Sequence, residues 1–267
     1  MFNRFMAYMR SRGVADDLFQ APLLDYRKLW PLARANAGAY AAADPFPHIV
    51  LDDFLDQRVL QAVIRSFPSK DQLDWMKRDA KFDGDRDAQI HKLDFALGRR
   101  NIDDELKLSA ALRYTLLELN SATFLRFLQM LTGIESLLAD PGMFGGGLHQ
   151  SLPGGVLAVH SDFPQHPQYG LDRRLNVLLF LNEDWRPEYG GSLELWSPDM
   201  GNKVKEIVPI ANRCLIFSTS AHSYHGFTVP VACPPGRTRK SIAMYYYTMP
   251  ASVQQPAAAI TSWQRTR

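Results

Sequence analysis

The rhythm of apolar and polar positions changes along the chain. In the first half it is helical. Leu55, Val59, Leu60, Val63, Ile64 and Phe67 recur at the spacing of a helix with one buried face, and Pro68 stops it. Residues 106–119 and 123–131 predict two more helices, broken near Asn120 and Ser121 and ended by Gly133. The alanine-rich residues 33–43 predict a further one, closed by Asp44 and Pro45. Beyond residue 150 the rhythm turns to short apolar runs: 155–162, 174–182, 193–196, 203–210, 213–218 and 240–248. Turn residues such as Gly190, Gly191, Pro198 and Asp199 separate them. Many short strands with regular turn signals predict a β-sandwich or barrel. Between the two textures, residues 71–101 crowd Asp, Lys and Arg around Gly84 and Gly98. They predict an exposed loop region holding one strand near His91 to Phe95.

Composition fits a soluble enzyme. With 267 residues, 46% of them hydrophobic, the chain can bury a large core in one catalytic unit with attached helices. A net charge of +2 and the lack of a basic stripe give no nucleic-acid footprint. Two cysteines, Cys214 and Cys233, make no disulfide framework, so reduced thiols and a cytoplasmic location are expected. No stretch approaches the roughly 20 apolar residues that a membrane span needs. Residues 1–10 are basic and aromatic, without the apolar run of a secretory signal.

The candidate chemistry lies in the strand-rich half. His160 and Asp162 flank a single residue at the end of a β-rich stretch, where alternate side chains share a face. Both can offer a donor atom to one cation. A second histidine would complete the two-histidine, one-carboxylate set of a non-haem iron(II) site. His222 and His225 both stand in the right part of the chain. Being three apart, they face opposite sides of a strand, so only one can meet the pair. Arg237 and Arg239 lie further on, on a common face of an extended strand.

Residues 150–248 resemble the iron(II)- and 2-oxoglutarate-dependent dioxygenases of the prolyl-hydroxylase-like group. The resemblance is carried by residues 155–162, 175–182, 190–196, 225–227 and 239–245, and upstream by residues 45–55. It implies an α+β, mainly β fold: a double-stranded β-helix, or jelly roll, with supporting N-terminal helices. The implied division is an N-terminal helical extension (1–44), one catalytic unit (45–250, core 148–248) and a tail (251–267). The implied reaction hydroxylates an unactivated C–H bond and converts 2-oxoglutarate and O2 to succinate and CO2, with Fe(2+) as metal and L-ascorbate as reductant. The substrate expected from this group is a prolyl or other side chain of a peptide or protein, with a small molecule as the second choice. A non-catalytic, metal-binding jelly roll is the third.

The resemblance also assigns residues. Its distal histidine precedes a glycine and an apolar residue, which selects His225 as the third ligand beside His160 and Asp162. Its co-substrate arginine stands three residues before an aliphatic position, which selects Arg239 over Arg237. A guanidinium suits a carboxylate because its planar fork binds in two places and keeps its charge. Two tyrosines that contact 2-oxoglutarate in some relatives are replaced here by Gln150 and Phe180. Gln150 can still hydrogen-bond, and Asn176, on the face of Phe180, can supply the donor that Phe180 lacks. Asp162 fills the place that halogenating relatives leave vacant, which favours hydroxylation. The loop of residues 163–170 is expected to touch substrate: its aromatic rings, with Trp196, suit an apolar or peptide-like surface, whereas Arg173 and Arg174 suit an acidic group instead.

Overall fold

The computed structural model describes residues 23–81, 87–96 and 102–252. Residues 1–10 and the tail from residue 253 lie outside them. The first described helix, α1 (Tyr26–Ala41), starts on Asp25, whose carboxylate accepts the Arg27 amide. Strand β1 (His48–Leu51) and helix α2 (Gln57–Arg65) follow, the latter capped by Asp56. Residues 71–101 hold two strands rather than one, β2 (Met76–Lys81) and β3 (Asp87–Phe95). Charged residues hid β2 because it is an edge strand, largely exposed on both faces, and shows no apolar alternation.

The helical run expected over residues 106–119 is split into α3 (Ile102–Lys107) and α4 (Ala110–Leu119). Ser109 makes the break: its hydroxyl accepts the Leu112 amide and begins a new helix. Helix α5 (Ala122–Thr132) is capped by Ser121 and closed by Gly133 at φ +72°, a left-handed conformation that glycine adopts freely. Phe124, Phe127, Leu128 and Leu131 on α5 are completely buried. At about 1.5–3 kcal/mol for each such side chain, this face is a principal support of the sheet beneath it.

Strands β4 (Leu138–Ala139), β5 (Gly147–His160), β6 (Asp172–Phe180), β7 (Leu193–Trp196), β8 (Lys203–Ile207), β9 (Cys214–Ser218), β10 (His225–Phe227) and β11 (Arg239–Thr248) complete the chain. The strand order is β1-β9-β6-β11-β5-β10-β7-β8, and neighbours in this order pair antiparallel. The long β5 curls this sheet: Gly147 to Ser151 pair with β11, whereas Leu157 and His160 face β10. One layer thus holds β9, β6, β11 and the start of β5, and the other holds the end of β5 with β10, β7 and β8. The hairpin β2–β3 adds to the outer edge of β5.

Alternation along β11 sorts its side chains between two environments. Ile242, Met244 and Tyr246 join the core with the helices, while Arg239, Ser241 and Tyr245 line a cavity between the layers. Helix α1 joins the same core through Leu29, Ala33 and Tyr40, and the Tyr40 hydroxyl bonds Ser218 of β9 at 2.8 Å. Cys214 and Cys233 are free and buried. Among the described residues no helix is long and apolar enough to cross a membrane.

Candidate active site

His160 ends β5, Asp162 lies two residues past the strand, and His225 begins β10 directly opposite His160. Their donor atoms all lie within 4.8 Å of one another. His160 Nε2 is 3.9 Å and His225 Nε2 is 3.6 Å from the Asp162 carboxylate. Each imidazole is oriented from behind. Nδ1–H of His160 donates to the Ala158 carbonyl at 2.8 Å, and that of His225 to the Ser223 carbonyl at 3.0 Å. A carbonyl can only accept, so both Nδ1 atoms carry a proton, which leaves both Nε2 atoms, facing the carboxylate, as the ones available to a metal. The backbones can meet because residue 226 is glycine: a Cβ there would come within 2.7 Å of the Leu157 and Ala158 carbonyls. His222 is exposed on the preceding turn and does not reach the group.

Burial alone would push Asp162 up, but Arg173, His225, His160 and the Asn176 amide override it and hold the carboxyl at about 2. Burial drives His225 down to about 4, so it stays neutral at physiological pH. Asn176 donates to Asp162 Oδ2 at 2.7 Å and accepts from Arg173 Nε and Nη2 at 3.1 and 2.8 Å. Arg173 also approaches Asp162 directly at 3.1 Å and lies over the rings of Tyr245 and Phe163, at 3.6 and 4.3 Å. Arg173, Asn176 and Asp162 form one buried network.

The cavity holding these groups has a volume of about 350 Å³. Arg239 reaches into it from β11. Its Nε donates to the Gly191 carbonyl at 2.6 Å, and its guanidinium lies 4.6 Å from the Phe227 ring. Burial brings its pKa down to about 10, and among the described residues no carboxylate pairs with it. Gly191, at φ +64°, leaves room for it, since a Cβ would sit 2.9 Å from Arg239 Cδ. Arg237 lies outside, donating to the Glu183 carbonyl.

Residues 146–247 match the family model described as the 2OG-Fe(II) oxygenase superfamily. This part of the chain is similar to that superfamily. A comparison with curated proteins gives no match. Among solved structures, a prolyl hydroxylase from Trichoplax adhaerens, in complex with a hypoxia inducible factor peptide fragment, is 17% identical with a TM-score of 0.57. The alignment covers 83% of this chain and 91% of that one. A prolyl-4-hydroxylase from Pseudomonas putida is 16% identical with a TM-score of 0.52, over 82% of this chain and all of the other. HygX from Streptomyces hygroscopicus, with nickel, 2-oxoglutarate and hygromycin B bound, is 11% identical with a TM-score of 0.51, over 80% and 87%. At these identities the likeness establishes the fold, the double-stranded β-helix of the 2OG-Fe(II) oxygenases.

Within that oxygenase fold the structure brings together five of the six residues singled out in the sequence: His160, Asp162, His225, Asn176 and Arg239 all line the cavity. Gln150 does not. On β5 the neighbouring His149 and Ser151 face the cavity, so Gln150 faces the other way, where it accepts from Thr238 at 3.1 Å. Asn176 is occupied by Asp162 and Arg173 instead of standing free for a co-substrate. Phe163 lines the cavity as expected of its loop, whereas Tyr169 is exposed and Trp196 bonds Glu194. That loop is fastened by His166, whose Nε2–H donates to Asp140 at 3.2 Å while Nδ1 accepts the Gln168 and Tyr169 amides. Sequence reasoning missed His149, Lys92 and Asp94 as cavity residues, and it placed Arg173 against substrate rather than against Asp162.

Proposed function

We propose that this chain is a 2-oxoglutarate-dependent hydroxylase in which His160, Asp162 and His225 hold iron(II) and Arg239 anchors the co-substrate. One observation carries the reading: three convergent donor groups share a cavity with a buried guanidinium that lacks a carboxylate partner among the described residues. The donor set fits the metal. Two imidazoles and one carboxylate form the facial triad of non-haem iron(II) and leave the opposite coordination positions open. A guanidinium without a carboxylate partner among the described residues fits a dicarboxylate, which supplies the counter-charge that Arg239 lacks. Bound iron(II) supplies oxygen activation, coupled to decarboxylation of 2-oxoglutarate to succinate and CO2 and to hydroxylation of a C–H bond.

The chain's own groups do the positioning. Backbone carbonyls hold both histidines in the ligating tautomer. Arg173 and Asn176 keep Asp162 ionised and fix its rotamer. Leu157, Leu178, Leu193 and Phe227 keep water from that end of the cavity. The His160 side chain is 36% exposed, against 12% for Asp162 and 6% for His225, so substrate enters past His160. Entry on that side, beside the rings of Phe163 and Phe144, suits a prolyl or other side chain presented by a peptide, as does the fold shared with a peptide-bound prolyl hydroxylase.

The anaerobic protein with iron(II) and 2-oxoglutarate is expected to develop a weak visible charge-transfer band that Arg239→Ala abolishes. Folded protein without the band would refute the reading. Succinate release in the presence of L-ascorbate, compared across peptides and small metabolites, tests the substrate class.

A further inference from the structure

We propose that Arg78 and Lys92, on the β2–β3 hairpin, bind an anionic group of the primary substrate, a carboxylate or a phosphate. The proposal rests on the hydroxylase reading above and adds the charge of what is hydroxylated. Register makes the site. Arg78 pairs with Lys92, Lys92 with Ser151, and Ser151 with Arg239. Directly opposed residues of an antiparallel sheet share a face, and all four line the cavity. They form one row across four strands. At about 4.8 Å between strands, Lys92 lies about 10 Å from Arg239 and Arg78 about 14 Å away. One 2-oxoglutarate on Arg239 cannot also neutralise the far end of this row.

Pairing among the described residues does not neutralise it either: there, Arg78 Nε and Lys92 Nζ share a single carboxylate, Asp94, at 3.2 and 3.3 Å. The nearby His149 brings no negative charge. Among the described residues, the lining carries four cations (Arg78, Lys92, Arg173, Arg239) against two carboxylates (Asp94, Asp162). Iron(II) and dianionic 2-oxoglutarate bring equal and opposite charge, so the excess persists in the loaded enzyme. Lys92 is only 17% exposed and Arg78 36%, so water and salt screen them less than ordinary surface cations. An anionic oxygen group is the ligand that this environment selects.

The test titrates the full chain, loaded anaerobically with iron(II) and 2-oxoglutarate, with N-acetylproline, its primary amide and inorganic phosphate, followed by calorimetry. At least one anion is expected to bind ten-fold or more tightly than the neutral amide. A carboxylate preference marks an acidic substrate, and a phosphate preference a phosphorylated one. Lys92→Met, alone or with Arg78→Gln, is expected to reduce that discrimination to less than two-fold. Asp94→Asn frees both cations and is expected to tighten anion binding several-fold, a gain that a purely structural Asp94–Lys92 pair would not give. Melting temperatures of each variant identify any that fail to fold. No preference for either anion, or a preference unchanged in the hairpin variants, overturns the proposal. Absence of the charge-transfer band in the wild type refutes the hydroxylase reading instead, while loss of anion binding on Lys92→Met in the metal-free protein still reads the hairpin site.

Discussion

Arg239→Met separates an anchor for 2-oxoglutarate from a structural cation. In the folded protein, burial lowers this guanidinium to about 10, which places the cost of keeping it charged on the order of 3 kcal/mol. Two contacts oppose that cost. The 2.6 Å bond to the Gly191 carbonyl is of the charged kind, at about 1.5–3 kcal/mol, and the stack against Phe227 adds about 0.5–2 kcal/mol. Cost and gain nearly cancel, and methionine keeps the apolar stem. The ligand-free variant is therefore expected to unfold within about 1 kcal/mol of the wild type. Ligand binding behaves differently. Loss of one partner from a desolvated charge pair costs about 2–5 kcal/mol, a roughly 30- to several-thousand-fold rise in Kd. At 2-oxoglutarate 100 times its wild-type Kd, the wild type gains about 2.7 kcal/mol of stability and the variant less than about 1 kcal/mol. Denaturant unfolding followed by circular dichroism, with manganese(II) present and 2-oxoglutarate added or omitted, measures both quantities. A variant that loses several kcal/mol without ligand yet keeps its ligand-dependent gain would make Arg239 structural.

Asn176→Leu removes the amide that joins Arg173 to Asp162, and it is expected to weaken manganese(II) affinity about 10- to 100-fold, measured by chelator competition. Unchanged affinity would show that Arg173 alone positions the carboxylate. Acidification is expected to destabilise the protein through His149, which burial holds at about 4 against the pull of Asp94. The unfolded chain takes up that proton near pH 6.5 and the folded one does not until about pH 4. Stability therefore falls as pH drops through this window, by up to about 1.4 kcal/mol per pH unit for this group. Denaturant unfolding of wild type and His149→Gln between pH 7 and 4.5 should show a shallower slope in the variant. Gly226→Ala places a methyl against two β5 carbonyls and should cost more than about 1 kcal/mol while reducing manganese(II) affinity. A variant as stable and as tight as wild type would mean that β5 and β10 can part without moving His225.

The sequence showed the metal-ligand candidates because two short-range rules act on them. His160 and Asp162 are two apart, and His225 is followed by the glycine that its close strand crossing requires. The support of those residues is written at longer range. Simple alternation from Asn176 puts Arg173 on the opposite face of β6, the face whose Leu175, Val177 and Leu179 join the core with the helices. The pairing of β6 with β11 slips between Tyr246 and Tyr247, so that Leu175 faces Tyr246 but Arg173 faces Tyr247. This bulge reverses the parity and turns Arg173 inward onto Asp162. A second bulge at His91, with φ +56°, lets Gln89, Lys92 and Asp94 reach the cavity from one strand. Gln150 shows the opposite error: the place of a tyrosine in relatives was transferred by counting from His160. Between the two positions, the register of β5 with β10 shifts by a residue, so the count no longer fixes the face. Parity is readable from sequence only between bulges, and in this chain the bulges stand where cavity-lining side chains are re-aimed. The same pattern decides the hairpin β2–β3. Charges around it read as a solvated region with one strand until the pairing of β3 with β5, and of β2 with β3, turns one face toward the cavity, which is why the cationic row was invisible before the register was known.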